Sequence, residues 1–344
     1  MDKKIKLPTI VYSVLIIISS YIIIVGVWIY FSGVDNAMIR KTASIIPYPA
    51  AIVGTDIITA DKIASQLKSV ESFYTNQDFS DLGLRVDFST PEGQKKLKIK
   101  QKNILNKLIE ESMIQAEANA RGIKVTQEII DQEVDRKLKE YGSSETLVEN
   151  LDKLYGWNLE DFKENIVRPD MYKEKLFENI RKGDPAYSEA EDKIKKAEAE
   201  LEDGKGFSET ARKYSEGESA SQGGELGWFC FDQMLPEVAV SVFDLDKGER
   251  SEIIQSPIGY HIVKVEDKKK ENEVDMLNLS QIFVRTKTMA DWILETGKDE
   301  RVFILSREFK WNSKAVQAEF RDEEMRSFEE ELMKNSGGDA SLIF

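Results

Sequence analysis

Apolar positions along this chain follow three regimes. From Ile10 to Phe31 they are continuous: the stretch carries no charged residue and is rich in isoleucine. Beyond residue 90 they recur at helical spacing, with Leu97, Ile104, Leu105, Leu108 and Ile109 on one side of a 3.6-residue wheel. In Tyr260 to Glu266 and again in Leu277 to Thr286 they come close to alternating with polar residues, the period of a strand that buries one face.

The punctuation between these runs predicts the elements. Pro47-Tyr48-Pro49 introduces Ala50 to Thr59, two very short strands around Gly54-Thr55, then a helix from about Asp61 to Tyr74 and a polar loop from Asn76 to Phe88. Thr90-Pro91 is a helix start, an N-cap hydroxyl followed by proline at the first helical position, and that helix runs to Arg121 before Gly122. Thr126 caps the next, which stops at Gly142; Ser144 opens another that stops at Gly156. Asn158 opens the last group, reset at Pro169 and continuing to about Lys182. Residues 49–185 thus read as an all-helical module whose stripes are core, with a peptide-binding groove as the rival use of the same faces.

The uncharged run fits a membrane helix. At ~1.5 Å per residue it spans the roughly 30 Å hydrocarbon core, and Tyr12, Tyr21, Trp28 and Tyr30 put aromatics near its ends. A cleaved signal peptide is the rival, but the run is too long for one and lacks a small-residue cleavage site. Lys3, Lys4 and Lys6 precede it, while Arg40 and Lys41 follow. We read residues 1–9 as cytoplasmic, 10–31 as a single-pass plasma-membrane anchor, 32–48 as a linker, and the bulk as extracytoplasmic.

Composition narrows the chemistry. The chain has 344 residues, enough for two or three domains, and a formal charge of −14. That acidity argues against a nucleic-acid partner. With one cysteine, Cys230, and one histidine, His261, it cannot assemble a zinc site or an internal disulfide, and no cofactor is implied. A Ser-His-Asp hydrolase would have to use His261, and no nucleophile-elbow G-x-S-x-G occurs.

The stretch from Gly223 to Glu266 reads as a small α/β unit. Gly223-Gly224 opens it, Glu225 to Phe229 is a short strand, and Pro236 starts a helix over Glu237 to Phe243. Ser251 to Ile254 is a second strand, Ser256-Pro257-Ile258-Gly259 a tight connection and Tyr260 to Glu266 a third strand. Gly223-Gly224-Glu225-Leu226-Gly227-Trp228-Phe229, Gln233-Met234, Lys247-Gly248-Glu249-Arg250-Ser251 and Gly259-Tyr260-His261-Ile262 resemble the parvulin-type (PpiC/rotamase) peptidyl-prolyl isomerases in residues and spacing. The upstream segment Gly204 to Ser215 resembles that family's helix-to-loop region. Pro47 to Thr59 with its following helix, and Ala120 to Thr126, resemble the N-terminal chaperone domain of SurA/PrsA-type foldases.

With the apolar span, the resemblance implies an α+β protein: a transmembrane helix read from the uncharged run, and, by resemblance, an all-helical SurA-N-like domain and a parvulin-like small antiparallel sheet with helices. It implies that Leu226, Met234, Val238 and Phe229 line a proline pocket, and that His261 and Ser256 form its polar floor. The family's second histidine corresponds to Gln281, and its usual pocket phenylalanine to Val238. Its cysteine-or-aspartate position falls at Gly217 or Glu218. His261 has a plain alternative as a hydrogen-bonded core histidine, and Met234 and Leu226 as ordinary core.

One strand is out of place. Parvulin-like domains begin with a strand before the long helix, here Ser188 to Asp203, but Arg181 to Tyr187 is too short and polar to supply it. A matching strand, Leu277 to Thr286, follows the last one instead. A turn within Lys268 to Glu273 would join the two as a hairpin, making residues 186–286 a circularly permuted parvulin unit; the rival is the start of a truncated second repeat. Residues 287–344 supply strands at Arg301 to Lys310 and Lys314 to Phe320 and a helix from Asp322 to Lys334, placed on the N-terminal domain, then a tail. The implied partners are unfolded or exported polypeptides containing X-Pro bonds. Three uses remain open: an anchored foldase with a working isomerase, the same architecture as a non-catalytic holdase, and a structural assembly protein.

Overall fold

The computed structural model describes residues 19–27, 42, 46–76, 87–141, 144–271 and 273–335. The expected stop at Gly142, most of the loop 76–88, most of the segment 28–45 and the tail after Asn335 lie outside the described residues. The chain divides into two compact units, one formed by Met1–Leu176 with Thr296–Phe344, the other by Phe177–Glu295. The architecture is α+β, a helical N-terminal region with small antiparallel sheets.

In the first unit β1 (Pro49–Val53) and β2 (Asp56–Thr59) pair as a hairpin. Then come α1 (Ala60–Asn76), α2 (Pro91–Ala120), α3 (Gln127–Tyr141), α4 (Ser144–Tyr155), the one-turn α5 (Leu159–Phe162) and α6 (Arg168–Gly183). Local chemistry sets their starts. Thr90 Oγ1 accepts the N–H of Gly93 at 3.0 Å, with Pro91 in the first turn. Asn158 and Asp161 exchange reciprocal side chain–backbone bonds. Lys163–Val167 is a π-helical turn just ahead of Pro169. A proline has no N–H to give the preceding turn, and the widened turn absorbs that gap.

The second unit takes in the end of α6 and continues with α7 (Pro185–Glu202), which starts three residues earlier than the sequence suggested because Asp184 accepts the N–H of Ala186 and Pro185 fills the first position. It continues through α8 (Phe207–Tyr214), β3 (Glu225–Cys230), α9 (Pro236–Val242), β4 (Ile254–Ser256), β5 (Gly259–Glu271), β6 (Val274–Arg285) and α10 (Met289–Thr296). The sheet order is β3-β6-β5-β4, antiparallel throughout. β5 and β6 form a long hairpin with Tyr260 opposite Val284, Ile262 opposite Ile282 and Val265 opposite Leu279. It runs past the expected strand ends because Lys268 to Lys270 pair in register although, being charged, they show no apolar alternation. The edge strand β4 sits at Ile254–Ser256 rather than Ser251–Ile254; Ser251 still holds Val263 by backbone and side chain.

Each face of this sheet has its own cover. Ala190, Ile194, Ala197 and Ala211 of α7 and α8 pack on Tyr260, Ile262, Ile282 and Val284. On the other face Val238 and Val242 of α9 pack on Ile254, Val263, Val265, Leu277 and Leu279.

The chain then returns to the first unit, so that unit is not all-helical. β7 (Val302–Ile304) pairs with β1, giving the order β2-β1-β7, and β8 (Phe309–Asn312) pairs with β9 (Gln317–Phe320). The single strand expected over Arg301 to Lys310 is therefore two, in separate sheets, parted by a bend at Arg307-Glu308. α11 (Glu323–Asn335) closes the described chain. Val302, Phe309, Ala318, Phe320 and Met325 share one core with Ala51, Val53 and Ile58 and with Ile99, Leu105, Leu108 and Ile109 of α2. Asn106 on α2 binds the backbone of Ala318, accepting its N–H at 2.6 Å and donating to its carbonyl at 3.4 Å.

Of the expected span 10–31, residues 19–27 are described and are helical; the rest lies outside the described residues. Among the described residues no helix is long and apolar enough to cross a membrane. Val25 and Tyr48 form a small buried cluster, with Ile22, Ile46 and Ala60 packed on it.

Candidate functional site

The candidate site lies on the α9 face of the second unit's sheet. β5 alternates, so while Tyr260 and Ile262 face α7, His261 and Val263 face the other way. His261 is only 2 % exposed. Its Nε2 lies 2.8 Å from Ser256 Oγ on the edge strand, and its Nδ1 3.3 Å from Gln281 Oε1 on β6. The Phe283 ring stacks on the imidazole, with centroids 4.8 Å apart and planes at 29°.

Burial holds the His261 pKa below its usual value of 6.5, against the opposing effects of the Gln281 hydrogen bond and the Glu237 charge. The ring is therefore neutral at physiological pH and carries one N–H. With Gln281 placed oxygen-inward, Nδ1–H donates to Oε1 and Nε2 is left as an acceptor; the single Ser256 hydroxyl hydrogen then faces two acceptors, this nitrogen at 2.8 Å and the Gly259 carbonyl at 3.2 Å, and the tautomer is assigned from this network. Ser256 Oγ also accepts the N–H of Ile258 at 3.2 Å, which ties the tight connection to the same chain of bonds.

The apolar candidates gather on the same face. Leu226, Phe229 and Met234 are partly buried and pack on the cluster that contains Val238 and Val263. Val238 itself is only 7 % exposed, so it backs this surface more than it lines it. Gly217 and Glu218 fall in the loop after α8, where Gly217 lies beside the Phe283 ring. Cys230 is half-buried at the end of β3, its N–H bound to Gln233 Oε1. Two open clefts of the unit, about 530 and 630 Å³, are lined by Leu201, Phe207 and Arg250 among others and contain none of these candidates. Side-chain geometry and not cavity size therefore marks the site. Among the described residues no His/Cys/Asp/Glu group suited to a metal ion occurs.

Three contributors were not among the candidate site residues. Phe283 is one apolar residue in an alternating strand, and only the β5–β6 register sets it against His261. Ser215 and Glu216 secure the end of β6: Ser215 Oγ accepts the N–H of Phe283, the N–H of Glu216 donates to the Phe283 carbonyl, and the Glu216 carboxylate accepts the N–H of Arg285.

Comparison with known proteins matches this division of the chain. The SurA-like N-terminal domain profile matches residues 3–176, half of the chain. The chain belongs to that SurA-like family. A PPIC-type PPIase domain follows at residues 176–267. The foldase protein PrsA of Geobacillus kaustophilus is 30 % identical over 183 residues, 49 % of this chain and 63 % of the relative. The PrsA of Bacillus subtilis is 27 % identical over 255 residues, 66 % of this chain and 80 % of the relative. The chaperone SurA of Nitrosococcus oceani is 24 % identical over 271 residues, 67 % and 60 % of the two chains. The matched stretch spans less than two thirds of some of these foldases, 63 % in Geobacillus and 44 % in Oceanobacillus iheyensis. The PPIC-type match ends before β6, the strand that stands between β3 and β5 in the sheet.

Proposed function

We propose that this SurA-like chain is a membrane-anchored, extracytoplasmic foldase: its second unit catalyses peptidyl-prolyl isomerisation and its first holds unfolded or exported clients. The observation that carries the reading is the Ser256–His261–Gln281 chain, buried at Ser256 and His261, on the face that also bears Leu226, Phe229 and Met234.

Isomerising an X-Pro bond means twisting an amide against a barrier of ~18–20 kcal/mol set by resonance. No nucleophile or metal is needed. The catalyst must seat the apolar proline ring and favour the twisted amide over the planar one. Leu226, Phe229 and Met234 supply the seat, backed by Val238. His261, Ser256 and Gln281 supply a polar edge that holds its geometry without exchanging protons with solvent.

We place the anchor at residues 10–31 and a linker at 32–48, with the bulk of the chain outside the plasma membrane. We also read the second unit as circularly permuted. β6 takes the slot that the family fills from before the long helix, a reading supported by its pairing with both β3 and β5.

A second reading, a holdase whose parvulin-like unit binds without catalysing, is favoured by Gln281 where the family has histidine and by the burial of Val238. Isomerisation of a short X-Pro peptide by the full chain, beside His261→Ala and Met234→Ala, decides between them. Acceleration that both variants reduce supports the isomerase. No acceleration, from folded protein that still suppresses aggregation of an unfolded client, leaves the holdase.

A further inference from the structure

The polar chain at the site offers a ligand little surface of its own. His261 is 2 % exposed and Ser256 3 %. The Phe283 ring stacks on the imidazole, with centroids 4.8 Å apart and planes at 29°. Phe283 itself is only half-buried, so the outward member of that stack is the phenyl and not the imidazole.

The surroundings fix where the ring sits. Phe283 stands directly opposite His261 in the β5–β6 pairing and shares a strand face with Gln281, two residues before it. A Cβ on Gly259 would lie 2.8 Å from Phe283 Cε2, so the ring edge rests against bare backbone there. A Cβ on Gly217 would lie 3.8 Å from Phe283 Cβ and Cδ1, so the loop after α8 also meets the ring without a side chain of its own. The backbone is tied on both sides: Ser215 Oγ accepts the Phe283 N–H at 3.0 Å, and the Phe283 carbonyl accepts the N–H of Glu216 at 2.7 Å. Strand, loop and imidazole therefore hold in one place a ring that is not needed to fill the core. The other aromatic candidate, Phe229, stands opposite Leu277, four residues along β6 from Gln281 or roughly 13 Å.

We propose that Phe283 is a substrate-contact residue: the pyrrolidine of an X-Pro segment packs on its phenyl, beside Leu226 and Met234, and His261 is the positioning residue beneath that ring. The proposal rests on the reading of this unit as an X-Pro site. A proline ring is apolar and already rigid, so it gains contact on an aromatic face at little cost in conformational freedom, as proline-rich segments do in aromatic-lined grooves. Gly217 and Gly259 have a function in this arrangement, since neither puts a side chain where the phenyl stands.

The test is solution NMR of the full chain with the peptide acetyl-Ala-Ala-Pro-Ala-Lys-amide. His261 is the one histidine in the chain, so its imidazole resonances are unambiguous, and the phenyl in contact with them is Phe283. The expected result is intermolecular cross-peaks from the proline ring protons to that phenyl, with the proline protons shifted upfield by its ring current. Phe283→Leu should remove both signals and weaken peptide binding roughly three- to tenfold. Ile282→Val, which loosens the same strand from its other face, should keep them. Cross-peaks to the imidazole in place of the phenyl, or unchanged affinity and proline shifts in Phe283→Leu, overturn the proposal and leave the X-Pro site standing. Phenyl cross-peaks without faster cis–trans exchange support the contact and remove catalysis alone. No binding of the peptide to the wild-type chain overturns the contact and the X-Pro site together.

Discussion

Nε2 of His261 lies 2.8 Å from Oγ of Ser256, and both side chains are buried, at 2 % and 3 % exposure. A buried polar pair of this kind is costly to halve. His261→Ala leaves the Ser256 hydroxyl with the Gly259 carbonyl and the Ile258 N–H alone and takes the imidazole from the Gln281 amide, so lost hydrogen bonds and packing cost the second unit about 1–3 kcal/mol of stability. Peptide isomerisation, if this unit carries it, falls by roughly tenfold or more, short of the hundredfold that a proton-transferring group supplies, because this histidine acts by holding its neighbours in place. Urea unfolding and a peptide assay below the transition separate the two effects; unchanged values in both would remove His261 from the site.

Acidification tests the same residue through its charge. The folded pKa of His261 lies below the usual 6.5, so as pH falls the unfolded chain takes the proton first. Stability is therefore intact above about pH 6.5 and declines below it, down to the folded pKa. The chain has no other histidine. Glu111 in the first unit acts in the opposite sense, since burial raises its pKa and protonation then favours the fold. His261→Gln should flatten the slope of the second unit's stability between about pH 5 and 7. Equal slopes in the two proteins would show that His261 does not titrate on unfolding.

Two glycines of β3 and its approach separate strain from collision. Gly224 has φ +87, and a Cβ there would stand 2.4 Å from the carbonyl oxygen of Gln281, whose N–H donates back to the Gly224 carbonyl. Gly227 has φ +91 and open space around it. Gly227→Ala should cost about 1–2 kcal/mol for the left-handed backbone alone. Gly224→Ala adds a backbone clash and should exceed it by roughly 2 kcal/mol or more, parting β3 from β6. Equal losses in thermal unfolding would contradict the register of that pairing.

Lys102 on α2 and Glu329 on α11 form a nearly buried ion pair, with side chains 9 % and 13 % exposed and the ammonium also over the Phe320 ring. Removing one partner strands a charge, so Glu329→Ala should destabilise the first unit by about 3 kcal/mol. Replacing both by methionine should restore most of that loss. Denaturant midpoints of Lys102→Met, Glu329→Met and the double variant check it; additive losses would show that the pair does not act as a unit.

The return of the chain predicts a dependence between its ends. Val302, Phe309 and Phe320 sit in one core with Ile99 and Leu105, and β7 is the third strand beside β1. A chain ending at residue 295 should lose the cooperative unfolding of the first unit while the second, Phe177–Glu295, keeps its own. Supplying residues 296–344 in trans should recover part of it. Cooperative melting of the truncated first unit would count against this shared core.

Much of this protein is local and was legible in its order of residues. Thr90-Pro91, Asn158 and the glycines at 122 and 156 mark helix ends because capping needs only neighbours a few residues away. The glycine pair at 223–224 and the sequence from Gly259 to Ile262 pointed to the sheet and to His261 for the same reason. Where local signals ran out, boundaries moved. Lys268 to Lys270 carry no apolar rhythm, and the run from Arg301 to Lys310 hides a bend between two sheets.

Tertiary structure alone decided who meets whom. That Gln281 and Phe283 face His261 follows from the β5–β6 register, and a slip of one residue would turn both to the α7 side. That residues 302–325 complete the core begun by residues 51–58 follows from which apolar faces were left to bury, not from their spacing. The sequence by itself determined the caps, the helices and the composition of the candidate site. Burial of faces far apart in the chain decided the strand order and the partners of its one histidine, because a pairing free energy depends on both surfaces and each stretch of sequence records only its own.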